Sequence, residues 1–124
     1  MEESKLIILR GNSGSVKTTI AQHLQRKLGR GTLLISQDVI RCEMLHVRDR
    51  PENMAIGLLI NLIKYGHINC KYVILEGILY SDYYRQLFDS IITEYKDNVY
   101  AYYFDIPFEE TLIRHKTKKN SNEF

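Results

Sequence analysis

The chain has 124 residues, of which 44% are apolar, and a formal net charge of +2. This length and composition suffice to bury the core of one domain, so we treat residues 1–124 as a single domain. The near-neutral charge gives no strong field that would favour nucleic acid or a membrane surface. No apolar run approaches membrane-spanning length and the amino terminus does not resemble a signal peptide, so we expect a cytoplasmic protein.

Strand-forming and helix-forming stretches alternate along the chain. Apolar or β-favouring runs predict strands over residues 5–10, 32–36, 72–77 and 99–104. Amphipathic patterns predict helices over residues 17–28, 38–47, 51–65 and 82–95, and a last helix that begins at Pro107. This alternation is typical of an α/β domain with a parallel sheet and right-handed crossovers.

Single residues predict further details of these helices. We expect Gly66 to end the helix over 51–65, since glycine commonly follows a helix C-terminus. Ile20 and Ile92 fall on the apolar stripes of their helices, and we expect both to be buried. Tyr83 and Tyr84 are expected to pack in the core, with stacking against an acceptor ring as the alternative.

A phosphate-binding motif follows the first predicted strand. Residues 11–18 match G-x-x-x-x-G-K-[ST], except that Val16 replaces the second glycine. In such a loop, backbone N–H groups and a helix N-terminus surround the phosphates, the lysine neutralises charge, and the hydroxyl binds Mg²⁺. We therefore predict Thr18 as a metal ligand. The predicted nucleotide-binding residues are Gly11, Asn12, Ser13, Gly14, Ser15, Val16, Lys17, Thr18 and Thr19.

Three carboxylates follow the carboxyl ends of predicted strands, namely Asp38, Glu76 and Asp105. Ligands of parallel α/β sheets lie beyond these ends, so the carboxylates and the phosphate loop are expected to converge on one crevice. We predict that Glu76 holds the Mg²⁺ shell, with a solvated glutamate before a turn as the alternative. For Asp105, capping the helix at Pro107 is a sufficient role, and a place in the site is the alternative.

Asp38 and Arg41 are three residues apart, a spacing that puts both side chains on one face of a helix. The carboxylate is suited to accept the proton of an acceptor hydroxyl, while the guanidinium steadies a phosphate or the acceptor. The alternative is an aspartate at a helix N-terminus with a surface ion pair. Both interpretations remain open on the sequence.

A basic cluster of Arg114, Lys118 and Lys119 lies on and just past the last predicted helix. Its cations either close over a transferring phosphate or lie exposed to solvent at the helix C-terminus. There, positive charge interacts favourably with the helix dipole. The sequence does not choose between these roles.

Four segments of the chain, over residues 9–19, 34–41, 74–79 and 103–112, resemble the small bacterial P-loop kinases. These kinases are similar to chloramphenicol phosphotransferase, zeta-toxin-like kinases and the kinase half of polynucleotide kinase. The resemblance implies a three-layer P-loop NTPase fold of the nucleoside-kinase type with a mostly parallel sheet. Members of the family continue into more of a lid, a further helix and a fifth strand, so we expect a domain that lacks these parts.

The resemblance also implies an activity and roles for named residues. The activity is transfer of the γ-phosphate of ATP to a hydroxyl group, with ATP and Mg²⁺ as cofactors. The resemblance implies Asp38 as the base, Arg41 as an arginine on the acceptor side and Arg114 as a lid arginine, with both arginines serving the charge in transfer. Lys17, predicted from the loop as the ligand of the outer phosphates, completes the catalytic set.

Three functions remain open on the sequence. The leading hypothesis is a phosphotransferase that acts on a small-molecule hydroxyl. A 5′-hydroxyl polynucleotide kinase is the second hypothesis, although the chain has no continuous basic stripe of the kind that tracks phosphates. The third is a nucleotide-binding or inactive protein whose loop has degenerated at Val16, because valine avoids backbone conformations that glycine adopts and its Cβ crowds a nucleotide.

Overall fold

Four strands form one parallel sheet in the order β2-β3-β1-β4. The computed structural model describes residues 3–11 and 14–104, apart from the side chains of Gly14 and Ser15. The strands are β1 (Lys5–Gly11), β2 (Leu33–Ser36), β3 (Tyr72–Gly77) and β4 (Val99–Phe104). The inner strands are the most buried, and β3 is buried at five of its six positions, as expected for a strand covered on both faces. The α/β class and the parallel sheet are confirmed.

Helices cover both faces of the sheet. They are α1 (Gly14–Leu28), α2 (Ala55–Asn69) and α3 (Arg85–Tyr95), and a π-helical segment, Val39–Leu45, follows β2. Strand side chains alternate between the two faces, so one set packs on α1 and the other on α2 and α3. These three layers confirm the predicted architecture.

Gly66 does not end a helix, and here the prediction was wrong. Helix α2 begins at Ala55 rather than at residue 51 and continues past Gly66 to Asn69. Gly66 is buried, and a Cβ on it would lie 2.6 Å from Val73 Cγ2 and 3.0 Å from Leu33 Cδ2. The glycine therefore allows α2 to pack closely on the sheet, which is a tertiary reason that periodicity does not reveal.

Other predicted boundaries and faces also differ from the structure. Helix α1 begins at Gly14, three residues before its predicted start, and α3 begins at Arg85 rather than at residue 82. Ile92 is 65% exposed, because the i, i+4 series of Leu87, Ile91 and Tyr95 is the one that α3 buries. Ile20 is 37% exposed, at an apolar groove of the sheet face beside α1.

The stretch predicted as a helix over 38–47 is π-helical between Val39 and Leu45. It ends at His46, which adopts a left-handed backbone with φ of 58°. The last predicted helix, from Pro107, lies outside the described residues.

Candidate functional site

The phosphate loop begins where β1 ends. Gly11 has φ of +141°, and a Cβ there would lie 1.9 Å from the carbonyl oxygen of Phe104. Only glycine therefore lets β1 leave the sheet this close to β4. Asn12 and Ser13 lie outside the described residues, so their predicted contacts with a nucleotide remain predictions.

Lys17 is a buried lysine in the second turn of α1, with 1% of its surface exposed. Burial lowers the pKa of its ammonium group, while the nearby carboxylates of Glu76 and Asp38 act in the opposite direction. Two of the predicted carboxylates are thus close enough to act on the lysine. The first turn of α1 carries no acidic residue, so this helix N-terminus is suited to an anion.

Thr18 and Glu76 are in direct contact. The hydroxyl of Thr18 donates a hydrogen bond to Glu76 Oε2 at 3.3 Å, although the glutamate side chain is only 3% exposed. A hydroxyl and a carboxylate are oxygen ligands of the kind that Mg²⁺ prefers. In the described part of the chain no group of three or more His, Cys, Asp or Glu side chains is placed to hold a metal. The Thr18–Glu76 pair would hold an Mg²⁺ only together with oxygens from phosphate and water.

The end of β3 is fixed against the end of β2. Gly77 has φ of +151°, and a Cβ on it would lie 2.8 Å from Gln37 Cβ. This close approach places Glu76 beside the residue that precedes Asp38, at the same end of the sheet.

Val16 adopts an ordinary helical backbone. It lies within α1, is half-buried, and does not belong to the described residues with positive φ. Val16 therefore has no backbone strain at its own position. Of the two predicted effects of valine on nucleotide binding, only crowding by its side chain is left. Thr19 is exposed on the same helix.

Asp38 and Arg41 form the ion pair that their spacing predicts, with Arg41 Nη2 3.0 Å from Asp38 Oδ1. The aspartate side chain is 70% exposed and the arginine side chain 18%. Asp38 precedes the π-helical segment but makes no capping hydrogen bond with its side chain. Arg41 also donates a hydrogen bond to the carbonyl oxygen of Val47 at 3.0 Å. The carboxylate is therefore open to solvent, while the guanidinium is held in place.

A buried hydrogen-bond network centred on Tyr84 was not predicted. The Tyr84 hydroxyl donates to Asp49 Oδ1 at 2.6 Å and accepts from Gln37 Nε2 at 2.8 Å and from Asn53 Nδ2 at 3.3 Å. Burial, and then the hydrogen bond to Asp49, raise the pKa of Tyr84 to about 12. Tyr84 is fully buried, which agrees with packing and rules out stacking on an acceptor ring. The sequence contains no local signal for this network.

Arg10 is a second residue that sequence reasoning missed. Its guanidinium donates to the carbonyl oxygen of Leu79 and, at 3.2 Å, to Ser81 Oγ. Its Cζ atom lies 4.7 Å from the centre of the Phe88 ring and 5.9 Å from that of Tyr103. Burial lowers the pKa of this arginine. The sequence feature that could have identified Arg10 is a charged residue at the end of an apolar strand. In the structure, its hydrogen bonds connect β1 to the segment after β3.

The structure brings Lys17, Thr18, Asp38, Arg41 and Glu76 to one end of the sheet. Four further candidates, Asp105, Arg114, Lys118 and Lys119, lie outside the described residues, as Asn12 and Ser13 do. No helix within residues 3–11 and 14–104 is long and apolar enough to cross a membrane.

Comparisons with solved structures identify the fold. The APS kinase CysC of Mycobacterium tuberculosis, in complex with AMPPNP and APS, matches with a TM-score of 0.61 and 21% identity, over 94% of this chain and 71% of that chain. A chain of the Pnkp1/Rnl/Hen1 RNA repair complex matches with a TM-score of 0.64 and 22% identity, over 97% of this chain and 40% of that chain. The protein has a P-loop kinase fold.

A third structure, that of APE1195, has the same arrangement with a TM-score of 0.63 and 20% identity, over 92% of this chain and 70% of that chain. No protein-family model and no curated protein sequence matches the chain. Identities of this size show the P-loop kinase fold alone.

Proposed function

We propose that the protein is a cytoplasmic kinase that transfers the γ-phosphate of ATP to a hydroxyl group of a small molecule. The observation that carries the proposal is the buried Lys17 at the start of α1, close to Glu76 and Asp38. Phosphoryl transfer needs positioning and charge neutralisation more than covalent chemistry from the protein. Bound Mg·ATP would supply the phosphoryl group and a divalent charge on its oxygens.

Each residue of the site has a distinct role in this proposal. The Lys17 ammonium neutralises the outer phosphates, and its burial strengthens that interaction because water screens it less. Thr18 and Glu76 supply oxygen ligands for Mg²⁺. Both groups sit on regular elements, α1 and β3, so they are held in position before the nucleotide binds.

Asp38 serves as the general base. Its exposed carboxylate accepts the proton of the acceptor hydroxyl while the hydroxyl oxygen attacks the γ-phosphorus. The bond between the γ-phosphorus and the β,γ-bridging oxygen breaks in the same transfer, and ADP leaves with that oxygen. Arg41 keeps the carboxylate in place through their contact at 3.0 Å. Arg114 is proposed to contribute charge from the lid, a role that falls outside the described residues.

Asp38→Asn is the variant that tests this assignment. ATP consumption is measured against a panel of nucleosides, sugars, aminoglycosides and oligonucleotide ends. With the acceptor that gives the highest rate, we expect Asp38→Asn to lower kcat by about 100-fold or more. Asp89→Asn, which changes an exposed carboxylate on α3, should retain the rate. Unchanged turnover in Asp38→Asn would remove Asp38 from the catalytic role.

A second candidate is phosphorylation of a 5′-hydroxyl on a polynucleotide. The similarity to a chain of the RNA repair complex favours it. The same panel separates the two functions, because a polynucleotide kinase would prefer oligonucleotide ends over nucleosides and its rate would fall steeply with salt. An inactive nucleotide-binding protein would bind Mg·ATP and consume none with any acceptor.

A further inference from the structure

A cavity of about 500 Å³ lies in the segment that follows the π-helix. Its volume is in the range of sites that bind small molecules. The residues that line it are Val47, Arg48, Arg50, Glu52, Asn53 and Met54. None of them belongs to the phosphate site described above.

One side of the cavity is tied to the proposed base. The carbonyl oxygen of Val47 accepts a hydrogen bond from Arg41 Nη1 at 3.0 Å, and Arg41 Nη2 lies 3.0 Å from Asp38 Oδ1. A single guanidinium therefore spans the distance between a residue of the cavity and the Asp38 carboxylate.

Another lining residue of the cavity, Asn53, is connected by hydrogen bonds to Gln37, the residue before Asp38. Asn53 Nδ2 donates to the Tyr84 hydroxyl at 3.3 Å, and the same hydroxyl accepts from Gln37 Nε2 at 2.8 Å. Gln37 directly precedes Asp38 in the chain. Two separate chains of hydrogen bonds thus hold the cavity next to the position where an acceptor hydroxyl would react.

The segment that forms the cavity is preformed. His46 and Glu52 both have left-handed backbones, with φ of 58° and 60°, a conformation that is uncommon for residues other than glycine. The N–H of Val47 donates to the carbonyl oxygen of Arg41 at 3.0 Å, and the N–H of Asn53 donates to that of Arg50 at 3.3 Å. Little ordering of the backbone would be required when a ligand binds.

The charged groups of the cavity indicate what kind of ligand it takes. Arg48 and Arg50 are exposed, and neither forms an ion pair with a described residue. Asp49, which lies between them, is instead held by the Tyr84 hydroxyl. Glu52 is the one carboxylate among the lining residues of the cavity, and it suits a hydroxyl or amino group of a ligand.

We propose that this cavity is the acceptor site, and that it takes a hydroxyl-bearing molecule which also carries a phosphate group. The phosphate is bound by Arg48 and Arg50, since guanidinium groups recognise phosphate through paired hydrogen bonds. The hydroxyl that reacts is directed toward Asp38. This inference rests on the proposed kinase function, and it narrows the acceptor to phosphate monoesters.

Binding without nucleotide tests the ligand class. The probes are two matched pairs, ribose 5-phosphate with ribose and adenosine 3′-monophosphate with adenosine, followed by NMR of backbone amides and arginine side chains. We expect the phosphorylated member to bind at least about tenfold more tightly and to shift the signals of residues 47–54. Arg48→Gln and Arg50→Gln should each weaken that binding about tenfold, and Arg26→Gln, at an exposed position in the last turn of α1, should not.

Three results would overturn the inference. The first is equal binding of the charged and neutral members of each pair, and the second is phosphate binding at Lys17 and Thr18 alone. The third is a preference for cationic aminoglycosides that Glu52→Gln removes. A thermal shift with Mg·ATP separates this inference from the proposed function. If Mg·ATP stabilises the protein but the phosphorylated probes bind no more tightly than the unphosphorylated ones, only this inference fails. If Mg·ATP gives no stabilisation, the proposed kinase function and the proposed acceptor site fail together.

Discussion

The hydroxyl of Thr18 and the carboxylate of Glu76 are 3.3 Å apart, and this contact joins α1 to the end of β3. The two residues are 58 positions apart in the sequence, so only the parallel sheet brings them together. Glu76 is almost fully buried, which costs free energy unless the carboxylate has partners. The Thr18 hydroxyl is one such partner, and it lies at the end of the sheet where we propose that Mg²⁺ binds.

Replacing Glu76 with glutamine should weaken the binding of the Mg²⁺ that accompanies the nucleotide. Glutamine keeps the volume and one oxygen but removes the negative charge that attracts Mg²⁺. We expect the Mg²⁺ concentration that gives half of the maximal ATP-dependent stabilisation to rise about tenfold or more. The measurement is a titration of Mg²⁺ at fixed ATP, followed by thermal unfolding. Asp89→Asn is the control, and an unchanged midpoint in Glu76→Gln would remove this residue from the metal site.

Replacing Val16 with glycine should have opposite effects on affinity and on stability. If the Val16 side chain crowds a bound phosphate, as the sequence predicts, glycine removes that obstacle and ATP should bind more tightly. Because Val16 lies within α1, glycine should also lower the free energy of unfolding by about 0.5–1 kcal/mol. Calorimetric titration with Mg·ATP and urea unfolding measure the two effects. Val16→Ala should fall between the two proteins in affinity, and equal affinity in all three would refute this account of Val16.

The Tyr84 network should make stability depend on alkaline pH. Folding raises the pKa of Tyr84 from 10.0 to about 12, so the stabilisation is complete below pH 10. The unfolded chain then loses the phenolic proton first, and the free energy of unfolding falls by about 2–3 kcal/mol as the pH rises toward 12. Urea unfolding across this range should show a smaller decline in Tyr84→Phe. The exposed Tyr100→Phe is the control, and an equal decline in Tyr84→Phe and in the wild type would contradict the prediction.

Two glycines of α2 should respond in opposite ways to alanine. A Cβ on Gly66 would lie 2.6 Å from Val73 Cγ2, whereas one on Gly57 meets nothing within 4 Å. Gly66→Ala should therefore destabilise the protein by about 1–3 kcal/mol through overpacking. Gly57→Ala should stabilise it by about 0.5–1 kcal/mol through its better helix propensity. Urea unfolding of both variants is the test, and stabilisation by Gly66→Ala would show that α2 does not pack this closely on β3.

The strands could be predicted from the sequence because each is a run of apolar or β-favouring residues bounded by polar ones. β3 and β4 have their predicted bounds, and β1 and β2 differ by one residue each. The start of α2 was misplaced because proline favours a first helical turn, whereas here Asn53 accepts a hydrogen bond from the N–H of Ala55 at 2.9 Å. Packing against other elements decided the place of Gly66, and a sequence pattern does not contain that information.

The residues of the candidate site likewise include some that local sequence features predict and others that only tertiary contacts bring together. Lys17, Thr18 and Glu76 were found because a loop motif and the ends of parallel strands are local features. The Tyr84 network draws Gln37, Asp49 and Asn53 from the segments on both sides of the π-helix, and their partner lies after β3. Contacts between segments so far apart follow from the fold and leave no periodic signal.

The measurement that tests the account most directly is the thermal stability of the wild type and of Lys17→Met with and without millimolar Mg·ATP. A ligand bound only by the folded state stabilises it by about 2.7 kcal/mol at 100 times its dissociation constant. We expect a clear rise of the melting temperature in the wild type, and its loss in Lys17→Met, because methionine keeps the apolar stem of Lys17 without the charge. Equal melting temperatures of the wild type with and without Mg·ATP would contradict the claim that the site at Lys17, Thr18 and Glu76 binds this nucleotide.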